Sequence, residues 1–331
     1  MRPSTPVELL SAAATPAFLI TNPVNLRYLS GITVSTGALL ITPKAFMLFV
    51  DGRYGEGAKE DVRMGISVRS MSSLVKVMEK VPVCGCESET VTLSQYGFWK
   101  KKFKNTKFIH KRGIVSAFRR AKDSDELRAF RKSQRITQRI LEMIPTFLRP
   151  GISECELAWK IRDQAHTLGA DDLSFDPIVG FGSHTSRPHH HPTNRKLKSG
   201  DIVQIDCGVK FGGYCSDQSR VFFTGKMSPL QEKVLRAVTE AKEAATRAVK
   251  IGITTHELDR IARKVLRKYG LEKYFVHSLG HGVGLDIHEG VTLSSKRPAE
   301  VLQKNEIITI EPGVYIPGKF GMRMEDEVVV R

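Results

Sequence analysis

Two stretches of this chain each set a pair of acidic residues on facing arms of a hairpin, which few folds tolerate without a cation. In the first, residues 202–210 and 214–224 read as strands, and Phe211, Gly212 and Gly213 between them supply turn chemistry. Asp206 and Asp217 fall on opposite arms. A turn centred on Phe211-Gly212 makes them directly opposed, and one centred on Gly212-Gly213 makes them diagonal neighbours. Both registers leave them on one face, about 4.5 to 8 Å apart. Like charges so placed are unfavourable on a sheet, and a hard divalent cation bound by carboxylate oxygen offsets them. Taken alone, two solvent-facing acids explain the pair equally well.

The arrangement recurs where residues 306–316 and 320–331 flank Pro317, Gly318 and Lys319. A three-residue loop there pairs Ile316 with Phe320, and counting back sets Glu311 opposite Glu325. Glu311 follows Ile307-Ile308-Thr309-Ile310, a run that reads as buried on both faces, and a buried carboxylate is usually paired or bound to metal. Between the hairpins lie His277, His281 and His288, with Gly280, Gly282 and Gly284 around the second of them. The glycines make a helix improbable and strip bulk from around His281, so this is not the HExxH helix of a zinc protease. One histidine alone is usually structural; three in such a segment, beside four opposed acids, point to ligation. Carboxylates with one imidazole suit Mn(II), Co(II) or Zn(II) rather than a thiolate metal site, with Mn(II) favoured.

At 331 residues the chain exceeds the usual span of one core, so two domains are expected. Asp123 and Glu126 cap a helical pattern that runs from Leu127 to Ile144 and ends before Pro150-Gly151. The boundary is placed there: residues 1–121 and residues 122–331. Further amphipathic helices are expected over residues 153–168, 229–250 and 256–269, and residues 38–42 and 45–50 read as strands joined by Pro43-Lys44. No apolar run reaches 18 residues, so no membrane span is expected. Five cysteines cannot all pair, their spacings give no CxxC motif, and cytoplasmic residence with reduced thiols is the expectation. Net charge is +16, and residues 1–121 hold 18 basic against 8 acidic side chains, concentrated in the run from Lys100 to Arg112. Such charge attracts nucleic acid or anionic surfaces, but only Phe103 and Phe108 interleave with it, so a solvated basic face explains it better.

These residues resemble the pita-bread metallopeptidases, in the branch of aminopeptidase P and prolidase. The likeness rests on residues 204–208 with 214–217, 280–285 with His288-Glu289, 310–313, and 323–326. Residues 25–31, 37–40 and 51–54 are similar to the creatinase-type N-terminal domain of X-Pro peptidases. The resemblance implies an α/β creatinase-like domain followed by an α+β pita-bread catalytic domain. It implies two divalent metal ions held by Asp206, Asp217, His281, Glu311 and Glu325, with Asp217 and Glu325 bridging. Glu311 would also hold or accept a proton of the attacking water, and His189 and His288 would donate to the substrate. His277 fits a substrate-side position, whereas His190 and His191 match no family role. Arg323 would orient substrate or Glu325; a salt bridge to Asp326 or a neighbouring acid is the equal alternative. The implied substrates are proline-containing peptides and the implied assembly is a homodimer. Lacking an arginine just after His288, with Lys296 and Arg297 farther on, the sequence favours an Xaa-Pro aminopeptidase over an Xaa-Pro dipeptidase. A non-catalytic nucleic-acid-binding protein of the same fold is a third reading, which four opposed carboxylates disfavour.

Overall fold

A computed structural model describes residues 5–331 and divides into two compact units, Met1–Arg119 and Arg120–Arg331. In the first, the chain runs α1 (Pro6–Ala13), β1 (Phe18–Ile20), α2 (Pro23–Ser30), β2 (Gly37–Thr42), β3 (Ala45–Val50), α3 (Gly55–Asp61), β4 (Ile66–Ser70), α4 (Leu74–Met78), β5 (Val83–Glu87), α5 (Leu93–Lys102), β6 (Lys107–Lys111) and α6 (Ile114–Arg120). Its strands form one mixed sheet in the order β4-β3-β2-β1-β5-β6. β2 and β3 are antiparallel arms around Pro43-Lys44, while β4, β5 and β6 join in parallel. Leu19, Leu40, Phe49, Cys84 and Cys86 fill one core beneath the sheet, and Trp99 stacks on Phe108 at 5.3 Å. The basic run is divided between two elements. Lys100, Lys101 and Lys102 close α5, where cations suit the negative end of the helix dipole, and Lys107 and Lys111 bracket the edge strand β6.

The second unit repeats one plan twice, a helix pair followed by antiparallel strands. The first half holds α7 (Ser124–Phe147), α8 (Glu154–Thr167), β7 (Asp172–Leu173), β8 (Ile178–Phe181), β9 (Ile202–Cys207), β10 (Val209–Phe211), β11 (Tyr214–Cys215) and β12 (Gln218–Phe223). The second holds α9 (Pro229–Ala248), α10 (Thr255–Lys268), β13 (Gly280–His281), β14 (Thr292–Leu293), β15 (Ile307–Ile310), β16 (Gly313–Ile316), β17 (Phe320–Arg323) and β18 (Asp326–Val329). All four helices start at a capping box, Asp123/Glu126, Ser153/Glu156, Ser228/Gln231 and Thr254/Glu257, which satisfies two otherwise orphaned donors at each start. Each pair buries its apolar stripe against its own strands: Ile140, Ile144, Leu157 and Ile161 against Val179, Phe181 and Ile205, and Val234, Val238, Leu258 and Leu266 against Ile308, Ile310 and Met322. Among the described residues no helix is long and apolar enough to cross a membrane, and all five cysteines are free.

Candidate metal centre

The first hairpin turns on Gly212-Gly213, both at positive φ (58° and 83°), so Phe211 pairs with Tyr214 and Asp206 with Ser219. Of the two registers open from sequence this is the diagonal one. Carried through, it sets Asp217 opposite Gly208 and beside Asp206. The strands are not continuous, because the Ser216 carbonyl lies where a Gly208 Cβ would stand, 1.8 Å from it. In the second hairpin Ile316 pairs with Phe320, Gly313 with Arg323 and Ile310 with Asp326, which sets Glu311 opposite Glu325 in the gaps between β15 and β16 and between β17 and β18.

These strand ends, with β13, bring Asp206, Asp217, His281, Glu311 and Glu325 into the lining of one cavity of about 630 Å³. His281 Nε2 lies 3.5 Å from Asp217 Oδ2 and 3.7 Å from Glu311 Oε1. Its Nδ1 contacts the Gly282 carbonyl at 3.1 Å, so the proton sits on Nδ1 and the Nε2 lone pair faces the carboxylates. Thr309 Oγ1 accepts from the His281 amide at 3.0 Å, and Glu327 Oε1 accepts from the Asp217 amide at 2.6 Å. Ser219 Oγ donates to Glu325 Oε2 at 2.9 Å.

Burial is the main cause of every carboxylate shift here. It holds Asp217 and Glu325 well above the carboxylate range, reinforced by the neighbouring acids, and raises Glu311 to about 7 against the pull of His281 and Arg323. Arg323 is the one guanidinium inside the cluster. It pairs with Asp206, donates from Nη1 to Tyr315 Oη at 2.8 Å and from Nε to Ser219 Oγ at 2.8 Å, and lies 4.0 Å from Glu325. Asp326, the other partner weighed for it, is taken by Arg220 and Lys242. Among the described residues Asp206 Oδ1 is buried with no hydrogen-bond partner. An orphaned carboxylate oxygen, an imidazole lone pair and three acids driven toward neutrality by burial fit divalent cations, whose charge would offset what one arginine leaves.

His189, His190, His191, His277 and His288 also line the cavity. His288 packs edge-on against His281 with ring centroids 4.2 Å apart, and burial is the main cause that lowers its pKa. His277 Nε2 meets Tyr315 Oη at 3.1 Å, and burial takes its pKa down to about 3. His190 differs from its neighbours: it is buried and bonded to Glu154 at 2.9 Å. Sequence reasoning did not single out Thr309, Tyr315, Ser219 or Glu327. Of these, Glu327 carried a signal, since strand alternation puts it on the face of Glu325. Arg297, taken from sequence as too distant, lines the cavity and donates to Thr292 Oγ1 at 3.3 Å.

Metallopeptidase family M24 matches residues 128–331, and the creatinase/prolidase N-terminal domain matches residues 6–121. The chain belongs to metallopeptidase family M24. As an M24 protein it is similar over 98% of its length to a putative Xaa-Pro aminopeptidase of Mycoplasma pneumoniae, at 36% identity and 92% of that relative. It is also 32% identical to an Xaa-Pro dipeptidase of Pyrococcus horikoshii, over 98% of this chain and 92% of the other. Among solved structures, an Xaa-Pro dipeptidase from Bacillus anthracis superposes with a TM-score of 0.94 at 32% identity, covering 98% of this chain and 94% of that one. M24 membership thus agrees with the pita-bread catalytic unit and the creatinase-type N-terminal domain expected from sequence.

Proposed function

We propose that this chain is a dinuclear metallo-exopeptidase that hydrolyses Xaa-Pro peptide bonds. The observation that carries the reading is the convergence of Asp206, Asp217, His281, Glu311 and Glu325 on one cavity, with the His281 Nε2 lone pair turned inward. These five residues would hold two divalent ions, Mn(II) by preference and Co(II) or Zn(II) as alternatives, with Asp217 and Glu325 shared between them. Bound there, the ions would lower the pKa of a water and polarise the scissile carbonyl.

The remaining steps fall to the chain. Glu311, in the lining beside His281, is placed to take a proton at a carboxylate oxygen and return it to the leaving imino nitrogen. His288, whose pKa is lowered by burial, stays neutral at pH 7 and can donate to the oxygen that gains charge; His189, also in the lining, shares that task. His277 and Arg323 both bond Tyr315 Oη, which fixes the substrate-side wall.

Arg297 favours a second reading of substrate length. It is the other arginine of the lining and, among the described residues, its side-chain hydrogen bond is to a neutral hydroxyl, so it is available to the free carboxylate of a dipeptide. Dipeptidase activity is therefore proposed alongside the aminopeptidase activity that the sequence favours. Rates on Ala-Pro and Ala-Pro-Pro with Mn(II) test both: Arg297→Ala should raise KM for Ala-Pro by about tenfold and leave Ala-Pro-Pro within twofold. Equal effects would remove the dipeptide reading, and no cleavage of any proline peptide by metal-loaded enzyme would remove the proposal itself. A homodimer and cytoplasmic residence remain parts of this proposal, supported by the creatinase-type domain and the free thiols. Sedimentation of the full chain tests the first.

A further inference from the structure

The loop from Arg187 to Ser199 has almost no regular secondary structure, yet it carries His189 into the cavity. Its ends are held by backbone contacts. The Pro188 carbonyl accepts from Arg323 Nη1 at 3.3 Å, and the first amides of α8 bind the far side, Glu154 N to the Arg195 carbonyl at 3.2 Å and Cys155 N to the Thr193 carbonyl at 3.0 Å. Between those anchors one side chain gathers the loop. Glu154, fully buried, accepts at Oε1 from the Phe181 amide at 2.9 Å and bonds His184 Nδ1 at 2.8 Å. At Oε2 it bonds His190 Nε2 at 2.9 Å and accepts from the Thr193 amide at 3.0 Å and the Thr193 hydroxyl at 2.6 Å. These donors come from the end of β8, the turn after it, and His190 and Thr193 on the C-terminal side of His189.

We propose that Glu154 is a positioning residue whose carboxylate sets His189 against the substrate. The proposal rests on the reading of His189 as a substrate-contacting group. Glu154, His184 and His190 also offer ligand atoms within 4.8 Å of one another. Each carboxylate oxygen, however, already takes at least two donors, which leaves the hydrogen-bond hub as the better account. The geometry also makes glutamine a poor substitute. Each oxygen accepts a backbone N–H, so either orientation of a Gln side chain would turn its NH₂ toward an amide that cannot accept.

The test uses the full chain loaded with Mn(II). Glu154→Gln should lower kcat roughly 10- to 100-fold with KM within twofold, the scale of a catalytic group misplaced by about 1 Å. Its metal content should stay at two equivalents. His189→Ala should be slow by itself, and adding Glu154→Gln to it should cost less than a further twofold, because both changes act through one group. If His189→Ala turns over at the wild-type rate, the reading of His189 fails. If His189→Ala is slow and Glu154→Gln multiplies the loss, Glu154 does not act through His189 and the proposal is overturned. A third metal equivalent that vanishes in Glu154→Gln would overturn it too. Should that variant not fold, Thr193→Val removes the hydroxyl donor alone; a several-fold loss of kcat that disappears in the His189→Ala background supports the proposal, and a loss that persists there refutes it.

Discussion

Lys122 and Glu289 form an ion pair at 2.8 Å whose side chains are 2% and 6% exposed, just behind the segment that carries His281 and His288. The Glu289 carboxylate lies so close to Gly284 that a Cβ added there would stand 1.9 Å from Oε1, and Oε2 accepts from the Asp286 amide at 3.3 Å. Replacing Lys122 by Met keeps the aliphatic stem and deletes the charge, leaving a carboxylate in a buried site without its ammonium. Breaking a buried pair from one side costs about 3 to 5 kcal/mol. For a unit of this size that corresponds to a fall in Tm of roughly 6 to 20 °C. Scanning calorimetry of the Lys122→Met protein reads it directly. The double variant Lys122→Met/Glu289→Gln should recover at least half of the loss, since the carboxylate that faced the ammonium is then neutral too. Turnover should fall in the folded single variant as well, because Glu289 supports the backbone between the two histidines. A Tm change below about 2 °C in Lys122→Met would show that the pair contributes nothing net and refute the reasoning.

Asp217→Asn and Glu325→Gln should each lower bound divalent metal below two equivalents and abolish peptidase activity while the circular dichroism spectrum is kept; full activity under chelator would contradict the metal centre. His281→Ala should lose metal and activity together, whereas His288→Ala should keep its metal and lose roughly a hundredfold or more in kcat/KM, so metal analysis beside kinetics separates their roles. Glu156 accepts from the Ser153 amide and hydroxyl and from Lys196, in that order of effect, and its pKa falls from 4.5 to about 2. Its contribution to stability is therefore complete above pH 4.5 and is lost as the pH drops through 2. The Tm difference between the wild type and Glu156→Gln should shrink over that window, and a difference independent of pH would count against the assignment.

The carboxylate pairs were legible in the sequence because strands alternate with a fixed period and a tight turn sets the count. The second pair has the register that counting back from Ile316 gives, and the first was left between two registers that only the positive φ of both Gly212 and Gly213 decides. The start of α7 was legible through Asp123 and Glu126, whose capping box is local. What the sequence withheld is long-range. Arg323 meets Asp206 across 117 residues and Glu327 supports Asp217 across 110, and no spacing rule connects such partners. Arg297 looked remote because chain distance from His288 was taken for distance in space, while the strand pairing of β13 with β14 folds the intervening residues back. His190 could not be told from its neighbours, since three consecutive histidines look alike until burial separates them.

β6 closes one side of the N-terminal sheet, and beyond it no further strand pairs among the described residues. An unpaired edge offers its free N–H and C=O groups as a template for another chain, and lysines along such an edge make the approach of a second strand costly. Lys107 and Lys111 occupy that position, with Lys104 just before them. Lysines at these positions make self-association through the sheet edge costly. A chain with Lys107 and Lys111 both changed to Val would keep the buried Phe108 side of the strand intact, yet would gain a route to sheet-to-sheet aggregation that the natural charges close.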